Sequence, residues 1–146
     1  MFRDRSLTLL LTYAGALPFW FTVAAMFAGV LQVETGLRIF LAYGMVIAAF
    51  MAGTIWTAAH WSENRSAWLL MASNGVALAV FFAAALQMDP AFMLIVQAAG
   101  FLVLLGLDFA IYRSGDQPKW YLLLRARVTT IVILAYAAMG LALTLL

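Results

Sequence analysis

AFMLIVQAAGFLVLLGLDFAIYR (residues 91–113), SGDQP (114–118) and KWYLLLRARVTTIVILAYAAMGLALTLL (119–146) form one continuous stretch that sets the architecture of the chain. Two apolar runs flank a short polar turn, and each carries one charge near that turn, Asp108 before it and Arg125 after it. A helix rises about 1.5 Å per residue and needs roughly 20 apolar residues to cross hydrocarbon, so this is a transmembrane hairpin. An ionisable side chain in such a segment is costly and normally faces protein or water with a partner. Asp108 and Arg125 lie almost symmetrically about the turn. They are therefore expected at one depth, roughly 10 Å into the bundle, within reach of each other.

Working outward, the rest of the chain repeats the pattern. Spans are expected at Leu7–Leu31, Leu37–Trp61, Ala67–Leu86, Ala91–Tyr112 and Trp120–Leu146. The separators are short, with Pro90 and Pro118 placed to open the helices that follow them. Links this short force antiparallel neighbours. The composition agrees: 67% of the 146 residues are apolar and 10% charged, with a mean hydropathy of +1.04, against roughly 25% charged in an ordinary soluble domain. The expected fold is all-α, a single five-helix transmembrane domain covering residues 1–146. No repeat is visible, and five spans do not divide into equal inverted halves.

A formal charge of +2 gives no reason to expect a nucleic-acid partner. The absence of cysteine excludes disulfides, thiolate nucleophiles and thiolate-bound metals. Arg3 and Arg5 precede a short apolar run, and Ala14-Gly15-Ala16 is like a cleavage site, but the apolar character continues through Phe19-Trp20-Phe21 to Leu31, so an uncleaved span is expected. Arg3, Arg5, Arg65, Arg113, Lys119, Arg125 and Arg127 gather at one side and only Arg38 falls opposite. The positive-inside rule then puts the N-terminus in the cytoplasm and the C-terminus outside, with Trp61, Trp68 and Trp120 at the cytoplasmic interface. On that topology Asn64-Arg65-Ser66 is a chance match to a glycosylation acceptor.

Asp108 and Arg125 admit two roles. They border a polar cavity open to the cytoplasm, with Asp108 as proton acceptor or Arg125 as anion site, or they lock the last hairpin while Arg125 snorkels to the headgroups. Arg127, about 200° further round the helix, faces elsewhere. His60 is the sole histidine, with Glu63 the only nearby carboxylate, which favours interface hydrogen bonding over a metal site and leaves a proton relay with Asp108 open. No metal ligand set, cofactor motif or catalytic signature is present. Ser73-Asn74, Gln97 and Thr129-Thr130 are expected to make interhelical hydrogen bonds of about 0.6 kcal/mol each. Ala25/Gly29, Ala49/Gly53 and Ala48/Ala52 have the small-residue spacing of close helix packing. Pro18 is expected to kink the first span and free a backbone carbonyl.

Several segments taken together resemble the domain of unknown function 3429 family of transmembrane protein 69-like multi-pass membrane proteins. They are Gly15-Ala16-Leu17-Pro18-Phe19, Tyr43 with Phe50 to Trp56, Asp108, and Trp120-Tyr121-Leu122-Leu123-Leu124-Arg125 with Thr129. The resemblance runs through almost the whole chain, and its most specific element is Trp-Tyr-three residues-Arg. It implies a small multi-pass membrane protein in which Pro18, Gly53, Trp56, Asp108, Trp120, Tyr121 and Arg125 match the family pattern. The second span departs from it. Where the family tends towards Gly-Gly-x-His-Trp-Gly, this chain has Ala52-Gly53-Thr54-Ile55-Trp56-Thr57, and His60 lies one helical turn further on.

Two functional classes follow. One is a protein that binds or passes a small amphipathic ligand at a cytoplasmic-side pocket of Trp56, His60, Asp108, Tyr121 and Arg125. The other is a non-catalytic accessory or assembly subunit, packed against a membrane-protein partner or a second copy through its small-residue faces. An enzyme is not expected, since no catalytic set can be drawn. Compact loops and no targeting extension point to a bacterial cytoplasmic (inner) membrane, with an organellar inner membrane as the alternative.

Overall fold

The computed structural model describes residues 5–61 and 67–146. Arg3, the segment 62–66 that contains Glu63, Arg65 and the acceptor match, and the side chain of Trp61 lie outside the described residues. Among the described residues six helices follow in order: α1 Arg5–Ala14, α2 Leu17–Phe27, α3 Val33–Trp61, α4 Ala67–Ala85, α5 Pro90–Arg113 and α6 Lys119–Leu145. Helices α1 and α2 together make one crossing, Arg5–Phe27, and the other four make one each, so five segments are long and apolar enough to span a membrane. The surface has the matching polarity. Phe21 is 77%, Met71 75% and Phe50 70% exposed, side chains that a water-soluble fold would bury and that lipid solvates. The chain is a multi-pass membrane protein.

The last four spans begin and end within a few residues of their expected limits. The first is corrected. It was expected as one kinked helix, Leu7–Leu31, and is instead two helices ending at Phe27. Pro18 has no N–H to give to the preceding turn, and Ala16 N reaches only as far as Tyr13 O, at 3.0 Å. The Tyr43 hydroxyl of α3 donates to Gly15 O at 2.8 Å, supplying from outside a donor for a carbonyl at the break. At the far end Gly29, at φ 70°, closes α2: Val30 N donates to Ala25 O and Gly29 N to Met26 O, both at 3.0 Å. This is the paired closure a left-handed residue permits. Gly29 is thus a helix terminator, not half of a packing pair with Ala25. Gly115, at φ 87°, ends α5 in the same manner, and Gln87, at φ 50°, ends α4 without the help of a glycine. Asp89 then caps α5, its Oδ1 accepting from Ala91 N at 2.9 Å and Phe92 N at 3.3 Å.

Helix α3 packs on α2, α4 and α5, helix α5 on α3, α4 and α6, and α2 is wedged between α3 and α6. Lipid tails are as apolar as leucine, so dispersion and interhelical hydrogen bonds hold such helices together. Both are concentrated at the centre. Phe19, Phe40, Tyr43, Phe101 and Tyr136 form an aromatic cluster, with Phe40 and Tyr136 edge-on at 4.7 Å and Phe19 and Phe40 at 5.1 Å. The Tyr136 hydroxyl donates to Gln97 Oε1 at 2.6 Å, and Gln97 Nε2 donates to Leu41 O at 2.9 Å. This chain links α6, α5 and α3 through buried groups. Trp20 Nε1 donates to Ile131 O at 3.1 Å and ties α2 to α6.

Helix α1 is different. It touches α2 and α6 but stands off α3, and none of its residues is buried. Two of its attachments lie near its ends. The Arg5 guanidinium sits 4.9 Å from the Trp120 ring centroid, and Gly15 O, just past its last turn, is held by Tyr43.

Candidate functional site

The space that α1 leaves is a half-open cavity of about 340 Å³. Thr8, Leu11 and Thr12 of α1, with Gly15 just past it, form one wall, Ile47, Phe50, Met51 and Thr54 the α3 wall, Phe101 of α5 the back, and Tyr121, Arg125, Val128, Thr129 and Val132 of α6 the remaining side. Tyr121 to Val132 spans about 16 Å along the helix. The walls are mostly apolar, and the charge comes from Arg125, towards the Lys119 end of α6.

Arg125 owes its position to the hairpin. The closure at Gly115 turns the chain back, which brings Asp108 and Arg125 to matching levels on facing helices. Arg125 Nε donates to Asp108 Oδ2 at 2.6 Å, with the two residues only 6% and 2% exposed. Charge-assisted bonds of this kind are short and strong. The guanidinium has further donors to place, however. Arg125 Nη2 is buried and has no hydrogen-bond partner among the described residues. An unmet buried donor costs about 1–3 kcal/mol, and more when it is charged. One side chain thus closes the hairpin through Nε and contributes to the cavity wall with a donor left over.

Two of the four cavity threonines have the opposite bias. Thr12 Oγ1 donates to Thr8 O and Thr54 Oγ1 to Met51 O, both at 2.7 Å. Their protons are spent on their own helices, which leaves oxygen lone pairs as what they offer the cavity.

Of the residues expected to form one pocket, Tyr121 and Arg125 line this cavity and Asp108 is bonded directly behind Arg125. Pro18 sits just beyond the break at its end. Trp56 and His60 are not brought to it. Trp56 is 45% exposed, its ring 4.5 Å from that of His60, and His60 Nδ1 lies 3.3 Å from Trp56 O. The cause is helical phase: Trp56 is two residues past Thr54 and so about 200° round the helix. It lines a shallower groove of about 230 Å³ with Ala49, Ala52, Gly53, Asn74 and Ala77, between α3 and α4. Among the described residues no group of three His, Cys, Asp or Glu side chains is placed to hold a metal.

The residues that sequence reasoning passed over are Thr8, Thr12 and Thr54. Thr8 and Thr12 do stand four apart on one face of α1, but mild polarity at that spacing also occurs in plain packing. Gln97 makes the interhelical hydrogen bonds expected of it, but its partner Tyr136 had no signal, since that depends on which faces of α5 and α6 meet.

Five helical crossings, a buried ion pair in the last hairpin and a cavity beside it define a small polytopic membrane protein of the helical-bundle class. Within that class, the family described as protein of unknown function (DUF3429) matches residues 5–141, and the chain belongs to that family. The matched segment contains the break at Pro18, the ion pair and every cavity residue. Neither a curated protein nor a solved structure matches the chain.

Proposed function

We propose that the protein binds a small amphipathic molecule in the cavity between α1, α3 and α6. The observation that carries this is the combination of apolar walls with a buried guanidinium that has an unused donor, the usual composition of a small-molecule site between helices. Helix α1 supports it. With no buried residue and no packing on α3, it is the cheapest element of the bundle to displace, and displacing it opens the cavity sideways to lipid. The test is to purify the protein in lipid nanodiscs and identify co-purifying amphiphiles by mass spectrometry, comparing wild type with Val128→Phe, which fills the cavity. A molecule retained by wild type and lost from the variant is the expected result. Equal retention by both refutes the proposal.

The orientation belongs to the same proposal. Arg5, Arg113, Lys119, Arg125 and Arg127 lie at or near one end of the bundle and Arg38 towards the other, which supports a cytoplasmic N-terminus in a bacterial inner membrane, or the equivalent side of an organellar one. Because the chain has no cysteine, single cysteines at Ser114 and Gln87 can be labelled by a membrane-impermeant maleimide in intact cells; labelling at Gln87 alone is expected.

A second reading, an accessory subunit of a larger membrane complex, draws on the groove of Ala49, Ala52, Gly53 and Ala77, whose small side chains let a partner's helix approach closely. A stoichiometric partner recovered from native membranes, and lost with Gly53→Leu, would favour it.

A further inference from the structure

The geometry points to a single extended hydrocarbon chain, of at most about a dozen carbons and aligned as the surrounding lipid tails are, as the part of the ligand that fills the cavity; this rests on the binding proposal above. The cavity is a slot along the helices. Its lining runs for about 16 Å on α6, from Tyr121 to Val132, and for about 10 Å both from Thr8 to Gly15 and from Thr54 back to Ile47. The longer measure matches one leaflet, half of a hydrocarbon core about 30 Å thick. Zigzag carbon bonds of about 1.5 Å advance about 1.25 Å each along a chain, which gives the limit of a dozen. The volume of about 340 Å³ lies near the lower end of the range for small-molecule sites, about 300–1,000 Å³, and suits one tail rather than two.

The two ends of the slot differ, and the difference sets the direction of the chain. Arg5 sits at Trp120 and Phe40 at Tyr136, which fixes the levels: Thr8 and Thr54 lie with Tyr121 and Arg125 towards the Lys119 end, and Ile47 and Phe101 with Val132 near the middle of the bundle. Polar side chains are thus concentrated where a headgroup would stand. The deeper half is apolar apart from Thr12 and Thr129, and Thr12 has given its proton to Thr8 O. That deep end is stopped. Phe101 packs against Phe19 and Tyr136 in the aromatic cluster, and the Tyr43 hydroxyl bridges from α3 to Gly15 O. A tail already in lipid gains no hydrophobic free energy by entering, because lipid is as apolar as the slot. Fit selects it instead: a short chain leaves part of the slot empty, and a long one meets the floor.

The experiment uses the full chain in dioleoylphosphatidylcholine nanodiscs, photolabelled by dodecanoyl lysophosphatidylcholine with a diazirine at its terminal carbon, and the labelled peptides are identified by mass spectrometry. Label is expected around Phe101 and Val132 and not around Tyr121. Octanoyl, dodecanoyl and hexadecanoyl lysophosphatidylcholine then compete at equal mole fraction in the bilayer, and the dodecanoyl compound is expected to displace the label at least about fivefold better than the hexadecanoyl one. Ile47→Phe, which shortens the slot from its deep side, is expected to move the optimum to the octanoyl competitor. Didodecanoylphosphatidylcholine competing as well as its single-tailed counterpart supports the chain and names a two-tailed lipid as its source; weaker competition names a single-tailed one. Label placed around Tyr121, or displacement indifferent to chain length, overturns the aligned chain, and if Val128→Phe still abolishes labelling the cavity proposal stands. Labelling that survives Val128→Phe removes both.

Discussion

Removing one member of the Asp108–Arg125 pair should be far more damaging than removing both, and the two single losses should differ. The pair is direct, at 2.6 Å, and almost wholly buried. Asp108→Asn leaves a guanidinium buried without a counter-charge, and breaking such a pair costs about 3–5 kcal/mol. Arg125→Gln strands a carboxylate instead. A carboxylate can bind a proton and become neutral, whereas a guanidinium cannot lose one, so this change should cost less, about 2–3 kcal/mol. The double variant has two amides of nearly the original size that can bond to each other, and its cost should fall to about 1–2 kcal/mol, at the scale of an ordinary polar pair between membrane helices. The coupling energy is then at least about 3 kcal/mol. The assay is reversible unfolding in bicelles, comparing the four proteins in a double-mutant cycle. A double variant whose cost equals the sum of the singles would refute the idea that the charges act as a unit. Equal costs for the two singles would refute the asymmetry.

Gly44→Ala should destabilise by about 1–3 kcal/mol through overpacking, because a methyl at that position would overlap the Tyr136 hydroxyl and Gln97 Oε1. Gly53→Ala, where nothing lies within 4 Å of the added carbon, is the control and should be neutral or stabilising in the same unfolding assay. Tyr136→Phe removes the donor to Gln97 Oε1 and should cost about 1–2 kcal/mol, detectable also as faster hydrogen exchange around Leu41 if the Gln97 amide loosens. Gln87→Gly should stabilise by about 0.5–1 kcal/mol, since Gln87 holds a left-handed conformation at φ 50° that glycine adopts without a side-chain penalty; an unchanged melting temperature would contradict this.

The spans were legible because hydropathy and length act locally. Each run from Val33 onward is long enough to cross, and its ends are marked by residues that stop or start helices whatever surrounds them, such as Pro90 and Gly115. The break near Pro18 was harder. Proline predicts a disturbance, but whether a span bends or divides depends on an external donor for the backbone it exposes, here the Tyr43 hydroxyl far along the chain. The meeting of Asp108 and Arg125 could be anticipated because a tight turn fixes the relative depth of two positions. The fate of Trp56 and His60 could not. Depth alone put them in the same layer as Tyr121, while the phase of α3 turned Trp56, with His60 against its ring, into the groove beside α4. Phase is set by packing against neighbours, and hydropathy barely encodes it in a helix that is apolar all round.

Clamp and pocket looked like rival roles for Arg125 when only its position along the chain was considered. The guanidinium accommodates both, because its nitrogens are divided: Nε is committed to Asp108 and the hairpin, and Nη2 is not committed to any hydrogen bond among the described residues. A clamp alone would be better served by a partner for every donor and by side chains filling the space beside it, since an unmet donor and a void each weaken the bundle. Both defects occur together, beside the helix that is least embedded. A ligand that fills the void would remove the second defect, and it would stabilise α1 by giving it the inner packing surface it lacks. On this reasoning, binding and the order of α1 are linked: hydrogen exchange in residues 5–14 should slow when the cavity is occupied, while exchange in α5 and the core of α6 stays as it was. Uniform slowing across the bundle would mean that the ligand acts elsewhere.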